Sequence, residues 1–244
     1  MAKDPSETRF GAHLLKGLVA EFVGTFALIF IGAGAVVALS PDNITAIALA
    51  HGFVIMAFAY AFGNESNSYL NPALTLGVVV AGEADFRPAL PGFVAQFLGG
   101  IAGGYALLMV YGAGAPHNLG MTTINTSLTT IAGGLFLEGI GTFFLMTAVL
   151  NTALRGAAGK FAPFAIGMTV AFCIMAFGGV TGASVNPART LGPAMALGNY
   201  QQVGLYMLAQ FGGAVVAAGL YRGLFKDPVG DEKKQKADNT EPAF

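Results

Sequence analysis

The chain has 244 residues, 55% of them hydrophobic and only 10% charged, and its mean hydropathy is +0.65. That leaves too little polar surface for a soluble domain of this length and points to a polytopic membrane protein. The formal net charge of −1 decides little, because in a membrane protein the placement of basic residues carries orientation.

The N-terminal segment carries Asp4 and Glu7 and no small-residue cleavage pattern, so the first apolar run is expected to stay as a helix. Apolar runs fall at about 14–39, 44–63, 87–113, 129–152, 160–180 and 201–225, each near the ~20 residues that a spanning helix needs. Six crossings is the simplest count. The last segment, 227–244, is polar without an apolar run and is expected to be a disordered cytoplasmic tail. With both termini cytoplasmic, every Lys and Arg except Arg189 falls on the cytoplasmic side. Cys173 is the single cysteine, which excludes an internal disulfide, and its apolar surroundings suit packing.

The chain is a tandem repeat. Asn71-Pro72-Ala73 recurs 115 positions later as Asn186-Pro187-Ala188, and Ala61-Phe62-Gly63 and Thr75-Leu76-Gly77 recur at the same offset. Glu21-Phe22-Val23-Gly24-Thr25-Phe26 in the first run matches Glu138-Gly139-Ile140-Gly141-Thr142-Phe143 in the fourth, and Ala95-Gln96-Phe97 matches Ala209-Gln210-Phe211. The repeats cover about 14–113 and 129–226, within a channel domain of 1–226. Three spans per repeat is odd, so the halves enter the bilayer from opposite sides as inverted copies.

The stretches Pro72–Val80 and Pro187–Leu197 are apolar but too short to span, and read as re-entrant half-helices. Asn caps a helix and Pro suits its first position, so each Asn-Pro starts one near the membrane centre. Non-helical backbone at that depth is tolerated only where protein or a water-filled cavity covers it, so a polar passage is expected at the motif pair. Two half-helix N-termini would gather roughly half an elementary charge each and disfavour cations there. If capping N–H groups occupy each Asn oxygen, the amide NH2 faces the passage as a donor and opposes proton relay. Arg189 beside an apolar half-helix calls for a polar lining or a partner.

On these motifs the chain resembles the aquaporin, or major intrinsic protein, family from about Leu14 to Phe225. The resemblance implies an all-α integral membrane fold with six spanning helices and two half-helices. It also implies a pore in each protomer, usually a homotetramer, and passage of water and sometimes small neutral solutes. The family's filter positions fall here on His51, Ile174, Ala183 and Arg189. That set is similar to the one in plant tonoplast intrinsic proteins, where it is associated with ammonia, and sometimes urea or hydrogen peroxide, besides water. Glycerol facilitators resemble Asn-Pro-Ala-Arg followed by Asp and place a Trp in the filter; here Thr190 follows and the chain has no Trp. By the same comparison His117 is a candidate outer-loop contact to the filter. Tyr69 stands at the cytoplasmic mouth where relatives commonly have His. Glu21 and Glu138 are expected to hold the half-helix loops.

A passive channel for water, and for a small neutral solute such as ammonia, is therefore the leading expectation. A facilitator mainly for urea, hydrogen peroxide or glycerol is the alternative, with a secondary transporter behind it because inverted repeats build those too. No nucleophile and base pair or metal-ligand cluster is evident, so no enzyme activity, metal or cofactor is expected, and no nucleic-acid partner. The expected location is a membrane, the plasma membrane if the source is prokaryotic.

Overall fold

The computed structural model describes residues 5–39, 42–63, 65–66 and 68–226; the expected tail at 227–244 lies outside these. Among the described residues six helices are long and apolar enough to cross a bilayer. They are α1 (Leu14–Leu39), α2 (Ile44–Phe62), α4 (Phe86–Tyr111), α5 (Ile131–Leu154), α6 (Gly159–Thr181) and α8 (Val203–Leu224). Between them lie the short helices α3 (Pro72–Val80) and α7 (Pro187–Leu197), with the bounds the sequence predicts. No strand occurs among the described residues. Helix α1 extends back to Pro5 and relaxes to a π-turn over Leu28–Ala33; α5 does the same over Val149–Leu154. The apolar pattern does not announce these turns, because a π-turn changes the winding without changing composition.

The packing repeats with the sequence. Helix α1 packs on α4 as α5 packs on α8, α4 on α7 as α8 on α3, and α2 meets its own counterpart α6. Each half-helix is thus held by the third span of the opposite repeat, which interlocks the halves. The closest approaches are backbone to backbone: a Cβ on Gly100 would lie 2.6 Å from the carbonyl oxygen of Ala188 in α7. Small residues at such crossings let van der Waals packing hold helices together where lipid supplies no hydrophobic drive.

The main buried cluster runs through the middle, with Ala73, Leu74 and Val78 of α3 against Leu145, Met146 and Leu150 of α5 and Ala214 and Ala218 of α8. Cys173 belongs to it and is fully buried. The outer faces carry Phe53, Leu98, Met109, Phe136, Leu208 and Val216 in the open. A water-facing surface would not tolerate that much exposed apolar area, whereas lipid does.

Candidate functional site

Each half-helix begins as its residues dictate. Asn71 and Asn186 adopt nearly the same extended conformation (φ −156°, ψ 114° and φ −154°, ψ 116°), with Pro at the first helical position. The Asn71 side-chain oxygen accepts the backbone N–H of Ala73 at 2.9 Å. That of Asn186 accepts from Ala188 at 2.9 Å and Arg189 at 3.3 Å. The oxygens are therefore occupied as a cap requires.

The amide groups depart from the sequence expectation. Asn71 Nδ2 donates to the carbonyl of Val185 at 2.9 Å, and Asn186 Nδ2 donates to the carbonyl of Leu70 at 2.8 Å. Each Asn thus ties its own half-helix to the residue before the other Asn. One amide hydrogen of each is spent on this brace, and one, not two, is left for another acceptor.

The loops before the caps carry strain in matched positions. Ser68 and Leu70 have φ of 47° and 50°, and their counterparts Ala183 and Val185 have 42° and 45°. Left-handed backbone is costly for such residues, about 1–3 kcal/mol each, and persists only where the surroundings over-determine it. Two buried carboxylates do this. Glu21 accepts from Ser66 Oγ (2.9 Å), the N–H groups of Tyr69 (3.1 Å) and Leu70 (2.8 Å), and Gln96 Nε2 (2.8 Å). Glu138 accepts from Thr181 Oγ1 (2.7 Å), the N–H groups of Ser184 (3.0 Å) and Val185 (2.9 Å), and Gln210 Nε2 (2.9 Å). The glutamines are the members of this arrangement to which sequence reading assigns no role. Their repeat was the available signal, since Gln96 and Gln210 close the same bond to matched carboxylates and also reach Thr75 and Thr190.

Two cavities share lining residues at one end of this core, the outer end on the expected orientation. The central one is lined by Asn71, Asn186, His51 and Arg189 and continues past Ser68 and Tyr69 to Ala153 and Leu154. The outer one is lined by His51, Ile174 and Arg189 together with His117, Asn125 and Gly182. His51 and Arg189 are common to both. Ala183 is buried beside them without lining either cavity, its neighbours Gly182 and Ser184 doing so. His117 is exposed and sits in a left-handed turn with Asn118 and Leu119, on the wall of the outer cavity. Tyr69 is half-buried at the other end.

His51 Nδ1 lies 2.9 Å from the carbonyl oxygen of Ile47. A carbonyl only accepts, so Nδ1 carries the hydrogen and Nε2 of the neutral ring presents a lone pair. That Nε2 is buried with no partner among the described residues, and so are Nε and Nη1 of Arg189. An unpaired buried polar group is expensive, and the two side chains that carry these atoms border both cavities. This is not an arginine whose Nε and Nη1 bond to loop carbonyls. No group of three His, Cys, Asp or Glu side chains suited to a metal occurs among the described residues.

A family model, the major intrinsic protein, matches residues 11–221. The chain belongs to the major intrinsic protein, or aquaporin, family. By that membership it is a multi-pass membrane channel protein for water and small solutes. Aquaporin AqpM of Methanothermobacter marburgensis is 37% identical over 86% of this chain and 97% of its own length. Probable aquaporin TIP2-2 of Oryza sativa subsp. japonica is 32% identical over 87% of this chain and 88% of its own. Among solved structures, the aquaglyceroporin from Plasmodium falciparum superposes with a TM-score of 0.77, covering 90% of this chain and 99% of that one at 25% identity.

Proposed function

We propose that the chain conducts water and ammonia passively through the two cavities that share His51 and Arg189 and excludes protons and ions. The filter is His51, Ile174 and Arg189, with Ala183 giving room beside them. The observation that carries this reading is that one imidazole and one guanidinium, His51 and Arg189, border both cavities. A small neutral molecule passing between the cavities meets both side chains, and His51 Nε2 and Arg189 Nε and Nη1 have no partner among the described residues. Ile174 adds an apolar wall and no further donor. Charge is opposed twice, by the Arg189 guanidinium and by the N-termini of α3 and α7 held together through the Asn braces.

A proton-coupled carrier would need an ionisable relay free to move in the membrane. Glu21 and Glu138 each accept four hydrogen bonds from loop and helix groups, which suits a fixed scaffold. A homotetramer, as the family resemblance implies, with cytoplasmic termini, as the placement of Lys and Arg supports, completes the reading.

The test is stopped-flow light scattering on proteoliposomes, alongside internal alkalinisation driven by ammonia. Wild type should show fast water flux and ammonia entry, and His51→Phe/Ile174→His should keep the first and lose about tenfold or more of the second, one contact's worth of barrier. Glycerol or urea entry faster than ammonia entry would replace the proposed cargo. Absence of water flux would overturn the open channel.

A further inference from the structure

We propose that Gly32 is the positioning residue for the filter histidine: bare backbone at this point of α1 seats the His51 ring and keeps it out of the passage. The proposal rests on the reading of His51 as a filter residue. Gly32 lies within the π-turn Leu28–Ala33 and is buried. A Cβ built there would stand 2.5 Å from Cδ2, 2.6 Å from Nε2 and 2.9 Å from Cγ of His51. These atoms span the imidazole, so the clash would be with the ring itself, not with the end of a flexible chain.

The ring has little freedom to yield. Its Nδ1 is tied to the Ile47 carbonyl of its own helix at 2.9 Å. Helix α2 cannot withdraw either, because the next residue, Gly52, abuts α6, where a Cβ would lie 2.7 Å from the carbonyl oxygen of Gly167. The space left is the cavity on which His51 already borders. A methyl group at position 32 therefore drives the ring toward Ile174 and Arg189 and narrows the passage. The π-turn belongs to the same device, since an extra residue in one turn changes which residue faces the neighbouring helix. The matched position in the other repeat, 117 residues on, is Val149, also in a π-turn, and the counterpart of His51 is Ile166. Where no aromatic ring needs a seat, the glycine is absent.

Alanine is the better helix former, so Gly32→Ala does not weaken α1 on its own account. Water permeability should be measured on proteoliposomes carrying equal amounts of wild type, Gly32→Ala, His51→Ala and Gly32→Ala/His51→Ala. Gly32→Ala should lose about tenfold or more of the water flux, and the double variant should recover the flux of His51→Ala. If Gly32→Ala does not fold while the double variant does, the conflict with the ring is again the cause. Gly32→Ala conducting like wild type would overturn the proposal, as would a double variant no better than Gly32→Ala. The filter reading is judged separately by His51→Ala, which should admit larger solutes such as urea; if its solute preference equals wild type, that reading fails whatever Gly32 does.

Discussion

The two ends of the passage share a scaffold and differ in lining. At the outer end stand His51, Ile174, Ala183 and Arg189; their counterparts 115 positions away are Ile166, Ala59, Ser68 and Leu74, all four on the wall of the central cavity. Around them the supports are duplicated group for group: carboxylate, glutamine, left-handed loop, Asn cap and cross-loop brace. Backbone chemistry had to be solved twice, because unsatisfied N–H and C=O groups at membrane depth are prohibitive wherever the chain breaks. On the proposed reading selectivity is imposed at the outer end alone, which carries the cation and the imidazole where the other end is largely apolar.

The largest expected effect breaks the scaffold. Glu138→Ala strands the donors of Thr181, Ser184, Val185 and Gln210, at roughly 1–3 kcal/mol for each stranded buried donor, so the unfolding midpoint should fall steeply. Glu21→Ala removes the same number of bonds, but Glu21 also borders a cavity shared with Glu65 and Asp85, from which water can replace part of what is lost. Thermal unfolding in detergent should rank the variants with Glu138→Ala worse. Equal midpoints would mean that the two supports are equivalent in energy as well as geometry.

The second effect makes the two ends alike. Arg189→Val gives the outer end an apolar residue where the inner end has Leu74, so water flux should persist while glycerol entry rises about tenfold, equivalent to a lost barrier of ~1.4 kcal/mol. Proton entry under an imposed potential should become measurable. Glycerol entry unchanged from wild type would show that Arg189 does not set the size limit.

Most of this scaffold is legible in the sequence, because it is written twice. The 115-residue echo locates both half-helices, and Asn-Pro fixes their first residues from capping chemistry alone. The carboxylates are legible for a similar reason, since charge inside an apolar run demands partners. The cross-loop brace is not legible: nothing in Asn71 tells that its amide reaches Val185, which requires the interlock of the two halves. Gly32 is hidden among 35 glycines, and the π-turn that aims it leaves no compositional trace. Ala183 shows a limit of counting from a motif, for its position is as expected while the cavity wall is made by the residues on either side.

The smallest effect concerns how the two half-helices end. Helix α7 closes on Gly198 (φ 66°), with the Asn199 N–H reaching back to the Ala194 carbonyl at 2.9 Å. Helix α3 also turns at a glycine, Gly82 (φ 72°), but the end of α8 and the residues just after it add a cationic clamp. Lys226 Nζ donates to the Gly82 carbonyl at 2.8 Å and pairs with Glu83 at 3.1 Å, while Arg222 reaches the Val80 carbonyl at 3.4 Å. Cations suit the negative end of a helix dipole, yet the Lys226 and Glu83 side chains are 22% and 20% accessible. Screening therefore limits the pair to about 0.5–1 kcal/mol. Lys226→Met keeps the stem and removes the charge, so the unfolding midpoint should fall by about 1–3 °C, less in high salt. Water flux should be unchanged, because Asn71 and Glu21 hold the other end of α3. A loss of flux with so small a loss of stability would mean that the clamp, and not the brace, sets the position of the inner half-helix.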